Sequence, residues 1–163
     1  MGFLWLNCAM KIIHCNAIGI VHNHRHNLDD DNWGNVESEI VLDESFPAES
    51  LDSIETFSHA EIVFVFDQVA HDKDIYMSRH PRGNKAWPRV GIFAQRNKDR
   101  PNHLGLTIVR IIRRGERSLF VRGLDAVNGT PILDIKPVFI EFLPREEIHQ
   151  PQWSHELMKD YWK

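Results

Sequence analysis

The chain has 163 residues, a formal net charge of −4 and a composition that is 42% hydrophobic and 26% charged, which is typical of one globular domain. No run approaches the ~20 consecutive apolar residues of a transmembrane helix, so the composition excludes a helical membrane protein and a disordered chain. Cys8 and Cys15 stand without metal-ligand or redox spacing, which predicts reduced thiols in a cytoplasmic protein.

The first nine residues are apolar, but they lack the basic region and the cleavage site of a signal peptide. A strand pattern begins at Lys11-Ile12-Ile13, directly after Met10. We therefore expect residues 1–9 to be either a mis-assigned start or a flexible extension, which in the second case packs on the domain or on a partner.

Short runs rich in Val, Ile and Phe follow, separated by Gly, Pro and Asn, and helical periodicity is scarce before the last residues. The predicted strands are Lys11–Val21, Glu37–Leu42, Glu61–Phe66, Val90–Ala94, Thr107–Ile112, Ser118–Leu124 and Ile132–Phe139. Short strands with this punctuation favour a mainly β, single-domain sandwich or barrel.

Turn residues separate these strands. Asn128-Gly129 predicts a hairpin between the last two strands, because both residues tolerate positive φ. Other expected features are a looser turn at Arg114-Gly115-Glu116, a helical turn at 51–54, a long loop at 72–88 and a short helix at 153–162.

Charge is distributed unevenly along the chain. Residues 29–56 contain ten Asp or Glu and no Lys or Arg, whereas residues 79–122 contain twelve Lys or Arg against Asp99 and Glu116. The basic segment predicts an anionic partner, and the alternative is that it balances the acidic segment within the molecule.

Three histidines, His22, His24 and His26, recur at every second position. On a strand they would share one face, as a metal site requires, and a His-ligated metal enzyme is one alternative function. The intervening polar residues indicate a loop instead, and no carboxylate is placed to complete the ligand set, so we predict no metal.

Two segments have the residue types of a ligand site. Arg96 and Arg100 follow a predicted strand, where a guanidinium can bind a carboxylate or phosphate through two hydrogen bonds, or can pair with a neighbouring acid. The turn at 125–128 exposes backbone groups that could hold an adenine edge or a ribose, with Asp125 available for hydroxyl groups. As an isolated pattern, the second segment indicates a turn alone.

Five segments occur in one order: Phe57-Ser58-His59 with the strand to Asp67-Gln68, GIFAQR at 91–96, RPNHLGL at 100–106, LDAVNGTP at 124–131 and LDIKP at 133–137. Together they resemble the TsaA-like (TrmO) family of tRNA methyltransferases, and they cover most of a domain that we place at residues 10–144. The resemblance implies a β-barrel and a homodimer, with S-adenosylmethionine bound near the dimer interface.

By position in these motifs, the resemblance implies a set of cofactor-binding residues. They are Asp67, Gln68, Arg96, Leu106, Asp125, Ala126, Val127 and Asn128. Arg96 would meet the methionine carboxylate, Leu106 would pack on the adenine, and the loop from Asp125 would bind base and sugar. The family often has His at position 67 and Asp at position 128, and Leu28–Trp33 best matches its N-terminal pocket segment.

The implied reaction is methyl transfer to N6 of a threonylcarbamoyl-modified adenosine beside the anticodon of a tRNA. Asp125 and His59 are the candidate bases for the N6 proton, with water as a third choice. We expect tRNA rather than DNA or a membrane as the partner. The predicted RNA-binding residues are Arg79, Arg82, Lys85, Lys98, Arg100, Arg113 and Arg114.

The last nineteen residues, 145–163, form a tail after the expected barrel. Its apolar stripe should cover the barrel or a second subunit, and it consists of Trp153, Leu157, Met158, Tyr161 and Trp162. Longer bacterial members carry a further C-terminal domain that this sequence lacks. The alternative function is therefore a non-catalytic S-adenosylmethionine-binding module or regulator.

Overall fold

The protein is described here by a computed structural model, which covers residues 11–69 and 77–163. In these residues, six antiparallel strands close into a barrel in the order β1-β2-β5-β4-β3-β6. The strands are β1 Gly19–His22, β2 Glu37–Leu42, β3 His59–Val65, β4 Leu104–Arg114, β5 Ser118–Arg122 and β6 Pro131–Pro137. The predicted mainly β barrel is confirmed.

Short helical segments connect and follow the strands. The 3-10 helices are Ala48–Leu51, Ile54–Thr56, Pro81–Gly83, Ile92–Ala94 and Ile140–Phe142, and the α-helix, α1, is Gln152–Leu157. The predicted C-terminal helix is present, although α1 ends at Leu157 rather than at Trp162. The predicted helical turn at 51–54 is instead a non-helical turn between two 3-10 helices, with Ser53 in the left-handed conformation at φ 67°. Over the ranges that the structure covers, no helix has the length and apolar character needed to cross a membrane.

The core follows from alternation along the strands, which is most regular on β4. On β4, Gly105, Thr107, Val109 and Ile111 point into the barrel, and the residues between them are exposed. The adjoining strands supply further fully buried side chains, among them Ile40, Ile62, Phe64, Leu119 and Val121. Alternation with period two buries one face of each strand.

Gly105 is required by this packing. A Cβ at this position would lie 2.3 Å from the Phe64 ring, which fills the space over the glycine. Phe64 is completely buried and contacts Phe66 edge to face, with 5.1 Å between ring centroids. The glycine in RPNHLGL therefore admits a large ring into a small barrel.

Two of the predicted strands are wrong in whole or in part. Val90–Ala94 is not a strand, since Val90 forms a single bridge with Arg79 and Ile92–Ala94 is a 3-10 helix. Within that helix only Ile92 is buried, and Phe93 is 81% exposed. Lys11–Val21 becomes a strand only at Gly19, and residues 11–17 are exposed. An apolar run without a neighbouring strand has no ladder to join.

The predicted hairpin at Asn128-Gly129 is also wrong. The turn exists, with Gly129 at φ 87°, but β5 pairs with β2 and β4, and β6 pairs with β1 and β3. Both ladder edges of β5 are already taken, so the chain crosses the end of the barrel before it enters β6. The turn at Gly115 does join two paired strands, β4 and β5, as predicted.

The antiparallel order gives the barrel two distinct ends. Strands β1, β3 and β5 finish at one end, where β2, β4 and β6 begin, and we call it the cleft end. The opposite end carries the β4–β5 turn and is called the hairpin end. Since β6 finishes at the hairpin end, residues 138–151 must lead the chain back to the cleft end, where the tail contacts the loop after β1.

Candidate functional site

A cleft of about 1350 Å³ opens at the cleft end of the barrel. Its walls come from the loop after β1, the long β3–β4 connection, the start of β4, the β5–β6 connection and the C-terminal residues. This volume exceeds the ~300–1,000 Å³ of most single-ligand pockets, so the cleft has room for more than one small group.

Asp125 lies in the wall of the cleft with both carboxylate oxygens occupied. The Thr107 hydroxyl donates to Oδ1, and the Tyr161 hydroxyl donates to Oδ2 at 2.5 Å. Each carboxylate oxygen has two lone pairs, so each keeps capacity for one further donor. Asp125 can therefore be held by the protein and accept hydrogen bonds from a ligand at the same time.

Tyr161 is in its neutral form in this arrangement. Burial, and then the negative charge of Asp125, raise the pKa of the Tyr161 phenol well above its usual range. A phenol that keeps its proton is a hydrogen-bond donor at every physiological pH.

The C-terminal segment, residues 152–163, is bound to the barrel by backbone contacts. The amides of Asn32 and Trp33 donate to the carbonyls of Asp160 and Tyr161 at 3.1 and 2.8 Å. Gly34 lies directly against the segment, since a Cβ there would be 2.0 Å from the Trp162 carbonyl oxygen. The apolar stripe predicted from the sequence thus faces the chain's own cleft.

Basic residues form the rim of the cleft, and several pair with the acidic segment. Arg82 makes two hydrogen bonds to Asp31, at 2.7 and 3.0 Å, and these bonds raise the pKa of the guanidinium further above its usual value. Lys98 lies 3.6 Å from Asp30. The predicted alternative, in which the acidic segment balances part of the basic one, is therefore correct for these residues.

Two arginines of the motifs bond to the main chain instead of to acids. Arg96 donates to the Leu106 carbonyl at 2.7 Å, and Arg100 donates to the Gln95 carbonyl at 3.0 Å. These bonds fix the guanidinium groups without neutralising them. Arg96 in particular is exposed at the cleft, where a ligand carboxylate can reach it.

The structure brings most of the predicted cofactor residues together. Those that line the cleft are Asp67, Gln68, Arg96, Leu106, Asp125, Ala126 and Val127. Asn128 is not among them, because its side-chain oxygen accepts the Asn23 amide at 3.1 Å and its own amide donates to the Arg25 carbonyl. Asn128 instead ties the β5–β6 connection to the loop after β1.

Of the predicted RNA-binding residues, five line the cleft, namely Arg79, Arg82, Lys85, Lys98 and Arg100. Arg113 and Arg114 lie at the hairpin end, where Arg113 stacks on Phe120 with its guanidinium carbon 3.3 Å from the ring centroid and Arg114 pairs with Asp52. These two positions are separated from the others by the length of the barrel.

His59, a candidate base, also lies at the hairpin end. It begins β3, is exposed, and contacts the Ser58 hydroxyl at 2.8 Å. The structure therefore places only one of the two candidate bases, Asp125, in the cleft. The histidines His22, His24 and His26 are exposed, and no group of three or more potential metal ligands occurs among the described residues.

Comparison with known sequences assigns the domain. Residues 29–142 match the sequence model of the tRNA-methyltransferase O N-terminal domain. The chain belongs to this family. The match includes Asp125, Arg96 and the strands from β2 to β6, and it ends before the C-terminal segment.

Relatives of this tRNA-methyltransferase O domain are longer proteins. Human tRNA (adenine(37)-N6)-methyltransferase is 35% identical over 105 residues, which are 64% of this chain and 23% of that protein. A probable S-adenosyl-L-methionine-binding protein of Archaeoglobus fulgidus is 31% identical over 131 residues, 78% of this chain and 34% of that protein. The chain thus spans about a quarter to a third of these two relatives.

Solved structures agree with the barrel. A crystal structure of TrmO from Pseudomonas aeruginosa has a TM-score of 0.71 at 22% identity, covering 88% of this chain and 62% of that one. A second TrmO crystal structure has a TM-score of 0.68 at 25% identity, covering 86% and 61%.

Thr107 and Tyr161 line the cleft and contact Asp125, and neither was identified from the sequence as a candidate ligand-binding residue. Thr107 could have been identified from the sequence, since it is a polar residue at an inward position of an otherwise apolar strand face, and such a residue needs a buried hydrogen-bond partner. The sequence showed Tyr161 only as a member of the apolar stripe, because its hydrogen-bond partner Asp125 is 36 residues away in the chain.

Proposed function

We propose that the chain is an S-adenosylmethionine-dependent methyltransferase that acts on N6 of threonylcarbamoyladenosine beside the anticodon of a tRNA. The observation that carries the proposal is the assembly of Asp125, Arg96 and Leu106 in one cleft of a domain from the tRNA-methyltransferase O family. The names of the human and archaeal relatives support the same reaction class and cofactor.

The residues of the cleft fit this cofactor. The Arg96 guanidinium can bind its carboxylate, the Asp125 carboxylate can accept from its ribose hydroxyls, and Leu106 and Val127 can contact its adenine. When bound, the sulfonium supplies the methyl group and its own leaving group. The protein has to position N6 in line with it and to exclude water, so no covalent nucleophile is needed.

Asp125 is the candidate acceptor for the N6 proton within the cleft, and water is the alternative. A carbamoylated N6–H is more acidic than that of adenosine, so a carboxylate or water can act as base. Each Asp125 oxygen already accepts one hydrogen bond and keeps one lone pair, so Asp125 can take the proton only through an oxygen that does not accept from a ribose hydroxyl of the cofactor. With both oxygens bound to the ribose, water takes the proton.

The tRNA surface is proposed at the rim of the cleft, where a phosphate near the target base would meet Lys85 and Arg100, and would meet Lys98 in exchange for its exposed pair with Asp30. A cytoplasmic location and a homodimer also remain proposals. The outer face of β4 supports the dimer, because Leu104, Leu106 and Ile108 are 42 to 47% exposed on one strand face beside the cleft.

The test is incubation of the protein with labelled S-adenosylmethionine and total tRNA, followed by nucleoside analysis. We expect label in N6-methylated threonylcarbamoyladenosine, and none in a tRNA transcript that lacks the threonylcarbamoyl group. Arg96→Ala should weaken cofactor binding roughly tenfold or more, since charged hydrogen bonds contribute about 1.5–3 kcal/mol. Arg110→Ala, on the outer face of β4, is the control.

Cofactor binding without methylation of any tRNA would favour the second candidate, a non-catalytic S-adenosylmethionine-binding module. The name of the archaeal relative, which states binding alone, is the observation behind it. Cofactor binding that is unchanged in Arg96→Ala would show that the carboxylate end of the ligand lies elsewhere.

A further inference from the structure

The C-terminal segment contributes a polar group to a site whose other parts lie in the family domain. The family match ends at residue 142, yet the Tyr161 hydroxyl donates to Asp125 inside the cleft. The only other protein hydrogen bond to this carboxylate among the described residues comes from Thr107 on β4. The position of Asp125 therefore depends on a residue outside the family domain.

The segment is held by contacts that fix its distance from the barrel. Two backbone hydrogen bonds link it to Asn32 and Trp33, and Trp33 itself is 4% exposed. At its other end, the Trp87 indole donates to the Glu156 carboxylate at 2.8 Å. Contact of Gly34 with the Trp162 backbone leaves no space for a side chain.

The segment forms a wall of the cleft and does not fill it. With the segment in place, a cleft of about 1350 Å³ remains beside Asp125, and Leu157, Met158 and Trp162 line it. A peptide that blocked its own site would remove that volume. The Tyr161 hydroxyl also takes one lone pair of Asp125 and leaves others for a ligand.

We propose that Tyr161 is a positioning residue, which holds the Asp125 carboxylate in place for the hydroxyl groups of the bound nucleoside, and that residues 152–163 are a permanent wall of the cofactor cleft. This inference rests on the proposed function. Its basis is the Tyr161–Asp125 hydrogen bond, together with the backbone docking of the segment and the open cleft beside it.

The test uses four full-length proteins: the parent, Tyr161→Phe, Asp125→Asn and the double variant. Tyr161→Phe removes one hydroxyl and keeps the ring, so the fold should survive. Calorimetry with S-adenosylmethionine and S-adenosylhomocysteine should show affinity about tenfold lower in Tyr161→Phe, since an unfixed carboxylate must be ordered on binding. The double variant should bind no more weakly than Asp125→Asn, because the hydroxyl acts through the carboxylate.

Three further variants separate positioning from a general effect on stability. Lys159→Ala changes an exposed residue of the same segment and should bind like the parent. Gly34→Ala pushes against the Trp162 backbone and should weaken binding to a similar degree as Tyr161→Phe, whereas Gly91→Ala, where a Cβ meets nothing within 4 Å, should not.

Unchanged affinity in Tyr161→Phe would overturn the proposal, and tighter binding would do so as well, because it would make the segment an inhibitor. Additive losses in the double variant would show that Tyr161 acts independently of Asp125. If the parent binds neither ligand, the proposed function fails. In that case, urea unfolding of the same four proteins tests the Tyr161–Asp125 hydrogen bond by itself. Coupling between the effects of the two substitutions on the free energy of unfolding supports the positioning role, and additive effects reject it.

Discussion

Asp125 is the residue at which distant parts of the sequence meet. It accepts hydrogen bonds from Thr107 on β4 and from Tyr161 in the C-terminal segment. Asp125 is half-buried, so its carboxylate loses part of its water, and these hydrogen bonds offset that desolvation penalty. The same two hydroxyls that offset this penalty also define the orientation in which the carboxylate meets a ligand.

The Tyr161 phenol should make stability fall at alkaline pH. Its pKa is raised in the folded protein, mainly by burial, so above pH about 10 the unfolded chain loses this proton and the folded chain keeps it. The folded state then binds more protons, and the free energy of unfolding decreases by about 1.4 kcal/mol per pH unit for this group. The contribution is complete below pH about 10 and is lost as the pH rises beyond it.

Urea unfolding of the parent and Tyr161→Phe between pH 8 and about 11 measures this effect, because the difference between the two slopes removes the contributions of all other groups. We expect Tyr161→Phe to lose the added alkaline dependence. Parallel slopes for the two proteins would mean that the phenol titrates in the folded state as it does in the unfolded chain.

Residue types could predict part of the site but not its geometry. The motif positions Asp67, Arg96 and Asp125 do line one cleft. Asn128 and His59 do not, since the first bonds to the loop after β1 and the second begins a strand at the hairpin end. A motif identifies a residue by its position in the chain, whereas the direction in which its side chain points depends on the neighbouring loops.

At the scale of elements, alternation was a reliable guide where a strand has neighbours on both sides. Glu37–Leu42 was predicted with its observed bounds: Ser38, Ile40 and Leu42 are buried and alternate with less buried residues, and the strand is paired on both edges. Val90–Ala94 has the same residue types but lies in the long β3–β4 connection. Composition alone does not report whether a partner strand is present.

We expect that replacing Gly105 on β4 with any residue that has a side chain lowers the stability of the fold. Gly105→Ala would place a methyl group against the Phe64 ring, and overpacking of this kind costs about 1–3 kcal/mol. The measurement is the free energy of unfolding in urea. In the background of Phe64→Leu, which removes the ring atoms nearest the glycine, the cost of Gly105→Ala should be smaller, and an equal cost in both backgrounds would place the conflict elsewhere.

At the scale of the whole molecule, the barrel separates two basic regions that are continuous in the sequence. Six basic residues line the cleft, whereas Arg113 and Arg114 lie at the hairpin end. The six are Arg79, Arg82, Lys85, Arg96, Lys98 and Arg100. The net charge of −4 indicates neither region, and the count of twelve Lys or Arg along residues 79–122 does not distinguish one region from the other. Only the closed strand order shows that one anionic ligand at the cleft cannot use the whole set.

Affinity for tRNA should therefore depend on the cleft rim and not on the hairpin end. Replacing Lys85 and Lys98 with Ala should weaken tRNA binding and reduce the slope of log K against log salt by about one unit for each lost phosphate contact. The double variant Arg110→Ala/Arg113→Ala removes the same charge from the far half of β4 and should bind tRNA like the parent. Equal losses in the two double variants would indicate a general charge effect, and a loss confined to the second would place the tRNA at the hairpin end.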